Sequence, residues 1–209
     1  MFDINDYLEN LNCPSCFKSS YKIIKSSNYL NIKNLNDLKD IYKSSGDELL
    51  IDQLVECDQC KFRYLNPRIK SEIIVSAYSE NEDETHVVQD IHRYKTFKKS
   101  IKKIINLLKI NNVKDKTFLD IGSASGICLK AIKDLGFKEE GFELSKWMVN
   151  YGREKYCVNL KYGSLNDIEV DNKYDLISMW DVLEHVTDLN KNLEKIKFLS
   201  NNQTILIIN

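Results

Sequence analysis

The chain lacks a surplus of charge of either sign. Over 209 residues, 30 Lys and Arg stand against 31 Asp and Glu, a formal net charge of −1. That balance supplies no whole-molecule field to draw in nucleic acid or a membrane surface, and leaves only a local basic patch for such partners. Long apolar runs are missing too. No stretch nears the ~20 residues a membrane span needs, and Met1-Phe2-Asp3-Ile4-Asn5-Asp6 has neither the basic start nor the apolar core of a secretion signal. Internal repeats and low-complexity tracts are absent. A secretory disulfide framework is excluded, because four of the six cysteines fall into two Cys-x-x-Cys pairs. These absences predict a reduced, cytoplasmic protein with no nucleic-acid partner. What is present is enough apolar material, 43%, for a real core. The length admits one large domain, or a medium one with a small appendage.

The cysteine pairs are Cys13-Pro14-Ser15-Cys16 and Cys57-Asp58-Gln59-Cys60. Two residues between thiolates let both sulfurs of a knuckle reach one ion at about 2.3 Å, and two knuckles complete a closed, tetrahedral, structural zinc site. The alternative is two pairs of ordinary thiols. A redox pair fits less well, since neither motif opens a helix after a strand. Glycine often follows the second Cys of a knuckle; here Phe17 and Lys61 stand there, so the turns must close without its freedom. Tyr21–Lys25 and Glu48–Val55 read as strands, and Asn36–Tyr42 as a polar insertion with a helical turn. Pro67 ends a strand and a short helix follows from Lys70 to Tyr78. Ser79–Glu84 is an acidic linker. The expected domains are a zinc-bearing β unit over 1–78, a linker and amphipathic helix over 79–112, and an α/β unit over 113–209.

From His92 to Ile110, Tyr94, Phe97, Ile101, Ile104, Ile105 and Leu108 recur at helical spacing with lysines on the other face. That stripe is expected to pack on a sheet; a basic amphipathic helix can also meet a membrane or partner. Strands and helices then alternate: Thr117–Ile121, Ile127–Leu135, Glu139–Glu143, Lys146–Tyr156, Asn159–Tyr162, Tyr174–Met179, Leu189–Leu199 and Thr204–Ile208. This predicts an α/β fold with a doubly wound, mostly parallel sheet. Ile205-Leu206-Ile207-Ile208 is too apolar for a free edge, which predicts a further C-terminal portion.

Phe118-Leu119-Asp120-Ile121-Gly122-Ser123-Ala124-Ser125-Gly126 gives a strand, a small-residue turn and a helix N-terminus, the parts of a nucleotide crevice. A dinucleotide turn needs G-x-G-x-x-G; this chain offers Gly, Ala and Ile at those positions, so an NAD-dependent oxidoreductase is the weaker reading. Asp120 would face phosphates with a like charge and suits a cationic ligand. Glu143, at the tip of the next strand, can accept from both hydroxyls of a ribose. Together they point to a nucleoside without pyrophosphate.

Asp120–Gly126, Gly141-Phe142-Glu143-Leu144-Ser145 and Asp175–Val186 resemble the class I S-adenosylmethionine-dependent methyltransferases, from roughly Lys116 onward. The paired cysteines followed by Tyr64-Leu65-Asn66-Pro67-Arg68 resemble a bacterial subgroup with a four-cysteine zinc ribbon before a Rossmann-like domain. The resemblance implies methyl transfer from S-adenosylmethionine to a small metabolite or activated sugar, including surface-glycan precursors. A zinc-ribbon binding module on a degenerate scaffold is the alternative. Carried over, Asp120, Gly122, Ser123, Ala124 and Gly126 line the methionine part of the cofactor, and Glu143 with Leu144 holds the ribose. Ala124 replaces the usual middle glycine. The adenine contact falls to Ser164 and Leu165, or to Asp167. Trp180 follows the fourth strand, where cofactor and acceptor meet. Asp181 can orient His185 as a general base if a helix has begun there, or Asp181 caps that helix and His185 packs under the sheet edge. Cys128 and Cys157 read as buried apolar residues.

Overall fold

A computed structural model describes residues 2–42, 50–79 and 84–209. The start of the expected strand at Glu48, and residues 80–83 of the acidic run, lie outside the described residues. Tertiary contacts divide the chain into two units, Met1–Asn81 and Glu82–Asn209.

In the first unit, β1 (Leu8–Glu9) pairs antiparallel with β5 (Arg68–Ile69), and β2 (Tyr21–Lys25), β3 (Leu54–Cys57) and β4 (Arg63–Leu65) form a three-stranded antiparallel sheet. Two short helices, α1 (Leu35–Ile41) and α2 (Ser71–Ser79), complete it. Asn34 caps α1 by accepting from the amides of Asn36 and Asp37. One apolar cluster is small: Cys13, Val55, Cys57 and Tyr64, flanked by Cys16 and Tyr21. The other gathers Leu38, Ile51, Ile69 and Ile73.

The strand expected over Glu48–Val55 begins only at Leu54 among the described residues. Residues 50–53 are held differently. Asp52 is 3% exposed, and its two carboxylate oxygens accept from the phenols of Tyr29 (2.5 Å) and Tyr42 (2.6 Å). Ile51 O accepts from Asn28 N–H. A buried carboxylate needs such donors, and they turn this segment away from the ladder.

The second unit is a five-stranded, wholly parallel sheet. Its strands are β6 (Thr117–Ile121), β7 (Lys138–Glu143), β8 (Leu160–Tyr162), β9 (Leu176–Met179) and β10 (Ile205–Ile208), in the order β10-β9-β6-β7-β8. The helices are α3 (Glu84–Val88), α4 (Asp90–Leu107), α5 (Ile127–Leu135), α6 (Lys146–Tyr156) and α7 (Leu189–Phe198). The chain winds outward from β6 through β7 to β8, then returns to lay β9 on the other side of β6. The carboxyl ends of β6 and β9 therefore flank a switch point, where open α/β sheets bind ligands.

The central strands explain their own apolar sequences. All four residues of β9 are buried, as is β6 from Phe118 to Ile121. The stripe on α4 packs against the sheet and α5: Ile101 joins Phe118, Cys128, Ile132, Phe137, Leu176 and Ile207, with Phe97, Ile104 and Ile105 beside them. Lys95, Lys99, Lys102 and Lys103 are exposed on its outer face. Within β10, Ile207 is buried and Leu206 and Ile208 are exposed; among the described residues β10 is an outer strand. Among the described residues no helix is long and apolar enough to cross a membrane.

Candidate cofactor site and cysteine cluster

The two knuckles are built alike. Cys13 N–H donates to Lys18 O and Phe17 N–H to Cys13 O; Cys57 N–H donates to Phe62 O and Lys61 N–H to Cys57 O, at 2.8–3.0 Å. Closing each turn puts Phe17 (φ 62°) and Lys61 (φ 63°) in the left-handed region, where a side chain costs about 1–2 kcal/mol. These are the two positions at which glycine was missed in the sequence.

The turns bring Cys13, Cys16, Cys57 and Cys60 together, with all four sulfurs within 4.8 Å of one another. The Cys13–Cys60 and Cys16–Cys57 Sγ separations are 3.5 Å. Four sulfurs at about 2.3 Å from a tetrahedral ion stand about 3.8 Å apart, so the set fits zinc with slight expansion. The amide of Phe62, with hydrogen bonds from the other three thiols, pulls the Cys60 thiol down to about 6. The Tyr64 hydroxyl is buried beside the cluster without a hydrogen-bond partner among the described residues. Its ionisation is pushed up by burial and then by Cys13 and Cys57.

In the second unit the site grows from the turn after β6. Gly122 (φ 68°), Ala124 (φ 46°) and Gly126 (φ 73°) all take left-handed conformations. Gly122 has no room for a side chain, since a Cβ would stand 2.5 Å from Val182 Cγ2. Ala124 meets the same backbone demand without glycine's freedom. No side chain caps α5 at Gly126, so its first-turn amides are left for a ligand. The Ser125 hydroxyl is buried in this turn without a hydrogen-bond partner among the described residues.

Glu143 ties the turn to β7. Its Oε2 accepts from Ala124 N–H (2.9 Å) and its Oε1 from Ser145 N–H (2.8 Å). A carboxylate has about four acceptor positions, so acceptor capacity remains for a ligand hydroxyl. Burial pushes its carboxyl above the ordinary value, while the amides of Ser145, Ala124 and Leu144 pull against it. Ser145 then caps α6 by accepting from Met148 N–H at 3.2 Å.

Asp120 is 1% exposed and accepts a short hydrogen bond from the Ser178 hydroxyl of β9. Burial raises its carboxyl to about 7, against the donors Ser178, Ser123 and Cys128 and helped by the nearby Glu143 charge. Ser123 donates to Asp120 O at 2.8 Å and packs on β7, where a Cβ on Gly141 would come within 2.3 Å of its Oγ. Ser178 and Gly141 lie within the sequence motifs, which assign neither a site role. The signal for Ser178 was its place as the lone hydroxyl in a strand buried on both faces.

Beyond β8, Ser164 and Asp167 form a capping box: Asp167 Oδ2 accepts from Ser164 N–H (2.7 Å) and the Ser164 hydroxyl (2.8 Å). These bonds hold the Asp167 carboxyl below its usual range. Leu165 is buried in the core. The Trp180 ring packs on Phe97 of α4, centroids 5.3 Å apart, and its buried indole N–H faces the Cys128 thiol. Asp181 has φ 52°, which keeps an α-helix from starting there, and its Oδ1 accepts from the Asn209 amide at 3.1 Å. The segment closes as a short 3-10 turn, Leu183–His185, in which His185 is exposed. The four-residue spacing of Asp181 and His185 thus does not fall on one face of an α-helix.

Residues 92–209 match the methyltransferase domain family. No curated protein matches the chain. Among solved structures, an S-adenosylmethionine-dependent methyltransferase from Clostridium acetobutylicum aligns at 18% identity over 59% of this chain and 55% of its own, with a TM-score of 0.50. The plantazolicin methyltransferase BpumL in complex with SAH aligns at 15% identity over 57% of this chain and 47% of its own, TM-score 0.47. PKMT2 from Rickettsia typhi aligns at 27% identity over 44% of this chain and 20% of its own, TM-score 0.41. The chain spans 55% of the length of the Clostridium protein, and at that identity the likeness is one of fold.

Proposed function

The chain belongs to the methyltransferase domain family through residues 92–209, and on that premise we propose that it moves a methyl group from S-adenosylmethionine to a small metabolite or activated sugar inside the cell. The observation that carries this reading is Glu143. Its carboxylate ends β7 beside β6, braces the turn by accepting from backbone amides on both oxygens, and offers its remaining acceptor capacity to the ribose hydroxyls. When bound, the cofactor supplies a methyl group on a sulfonium centre. The chain's part is to hold it. Gly122, Ser123, Ala124 and Gly126 let backbone approach the methionine portion. Asp120 places a buried acid beneath the turn, which once ionised favours a cation over a phosphate. Leu144, Ser164 and Leu165 are assigned to the adenine end, and Trp180 to the end of β9 where cofactor and acceptor meet.

His185, with Asp181, is assigned to the acceptor side, His185 taking a proton as the methyl arrives. Methyl transfer can also run on proximity alone. The four cysteines are assigned to one structural zinc ion. Binding of that kind supplies about 10–16 kcal/mol in small zinc-folded units, more than so small a core provides. Titrating the full chain with S-adenosylhomocysteine and NAD in parallel tests the reading. The first should bind at one per chain and the second should not; binding of NAD alone would overturn it.

A further inference from the structure

The outer face of α5 carries a groove of about 540 Å³, lined by residues of α3, α4, α5 and α6. That volume falls in the range of small-molecule sites. None of its lining residues belongs to residues 120–126, to Glu143 or to the cysteine cluster. Val87, Val88, Ile91 and Ile127 give it apolar walls, and Asp90 lines it. Asp90 is 3% exposed. Its Oδ2 accepts from the Tyr156 hydroxyl at 2.7 Å, whereas its Oδ1 is buried and has no hydrogen-bond partner among the described residues.

An unpaired buried acceptor is destabilising, and more so on a carboxylate than on a neutral group. Neither cation that lines the groove hydrogen-bonds Asp90 Oδ1, although the Lys155 charge acts on Asp90 through space. Lys130 pairs with Asp134, and Lys155 bonds the Tyr151 hydroxyl. The side chain is therefore held in an apolar wall with one hydrogen-bond demand unmet. We propose that this groove binds a small apolar molecule carrying a primary ammonium group, whose N–H donates to Asp90 Oδ1 while its hydrocarbon body lies on Val87, Val88, Ile91 and Ile127. An ammonium makes a charge-assisted bond there, which a neutral hydroxyl makes more weakly and a carboxylate not at all. The site stands apart from the proposed methyl transfer.

Calorimetric titration of the full chain with 2-phenylethylamine, 2-phenylethanol and 3-phenylpropanoate tests it. The amine should bind at least about tenfold more tightly than the alcohol, and the acid should give no heat. Asp90→Asn should weaken the amine at least about tenfold with an unchanged thermal unfolding profile. Val88→Trp, at a position 77% exposed, should block the groove without touching Asp90, and decides the question should Asp90→Asn fail to fold. Equal binding of the three probes, no binding of the amine, or wild-type binding in both variants would overturn the proposal.

Discussion

The two units hold themselves together by different means. The sheet of the second unit is closed by apolar packing: Leu119, Ile121, Phe142, Ile177 and Met179 are buried on one face, and Phe118, Ile132 and Leu176 on the other. Around the knuckles of the first unit, two of the four buried residues are cysteines. On the proposed reading, the knuckles of the first unit draw on ligand chemistry to offset chain entropy, and the second unit on buried area. Both nevertheless use the same backbone device, a tight turn through left-handed residues that aims polar atoms at one point. In the knuckles those atoms are sulfurs; after β6 they are amides and a carboxylate.

Removing metal should break the comparison most sharply. Chelation, or Cys57→Ser, should abolish the zinc content of about one per chain and expose the amides of β2–β4 to rapid hydrogen exchange, a loss on the order of 10 kcal/mol. The amides of β6 and β9 should keep their protection. A metal-free protein with protected β3 amides would contradict the assignment.

A smaller effect separates the units by pH. Asp120 is raised from 3.8 to about 7 in the folded protein. The native state thus holds a proton that the unfolded chain releases, so stability falls as pH rises from about 4 to about 7 and then levels. Asp120→Asn should remove that slope from the unfolding of the second unit and leave metal retention by the first unchanged. Denaturant melts at several pH values across the window would show it.

The smallest effect belongs to the shared device. Ala124→Gly and Lys61→Gly should each relieve left-handed strain of about 1–2 kcal/mol, offset in part by the freedom glycine adds to the unfolded chain. A net gain of roughly 0.5–1 kcal/mol in denaturant melts is expected in each unit.

Much of this architecture is written locally. The knuckles follow from spacing, and β6, α5 and α6 begin and end as their apolar pattern and caps dictate. What was not legible depends on partners far along the chain. Residues 50–53 leave the ladder because phenols 10 and 23 positions away claim Asp52. Ser178 meets Asp120 across 58 positions. Trp180 turns to Phe97 beneath the sheet, and Asp181 takes a left-handed conformation that no periodicity announces. Local pattern therefore located the turn and Glu143, but not how the surrounding polar groups are satisfied.

The central claim is that Glu143 holds the ribose of a sulfonium nucleoside. Calorimetry with S-adenosylhomocysteine on the wild type and on Glu143→Gln tests it most directly. The account predicts a loss of ~1.5–3 kcal/mol, about 10- to 150-fold in affinity, in a variant that stays folded. Wild-type affinity in that variant would contradict it.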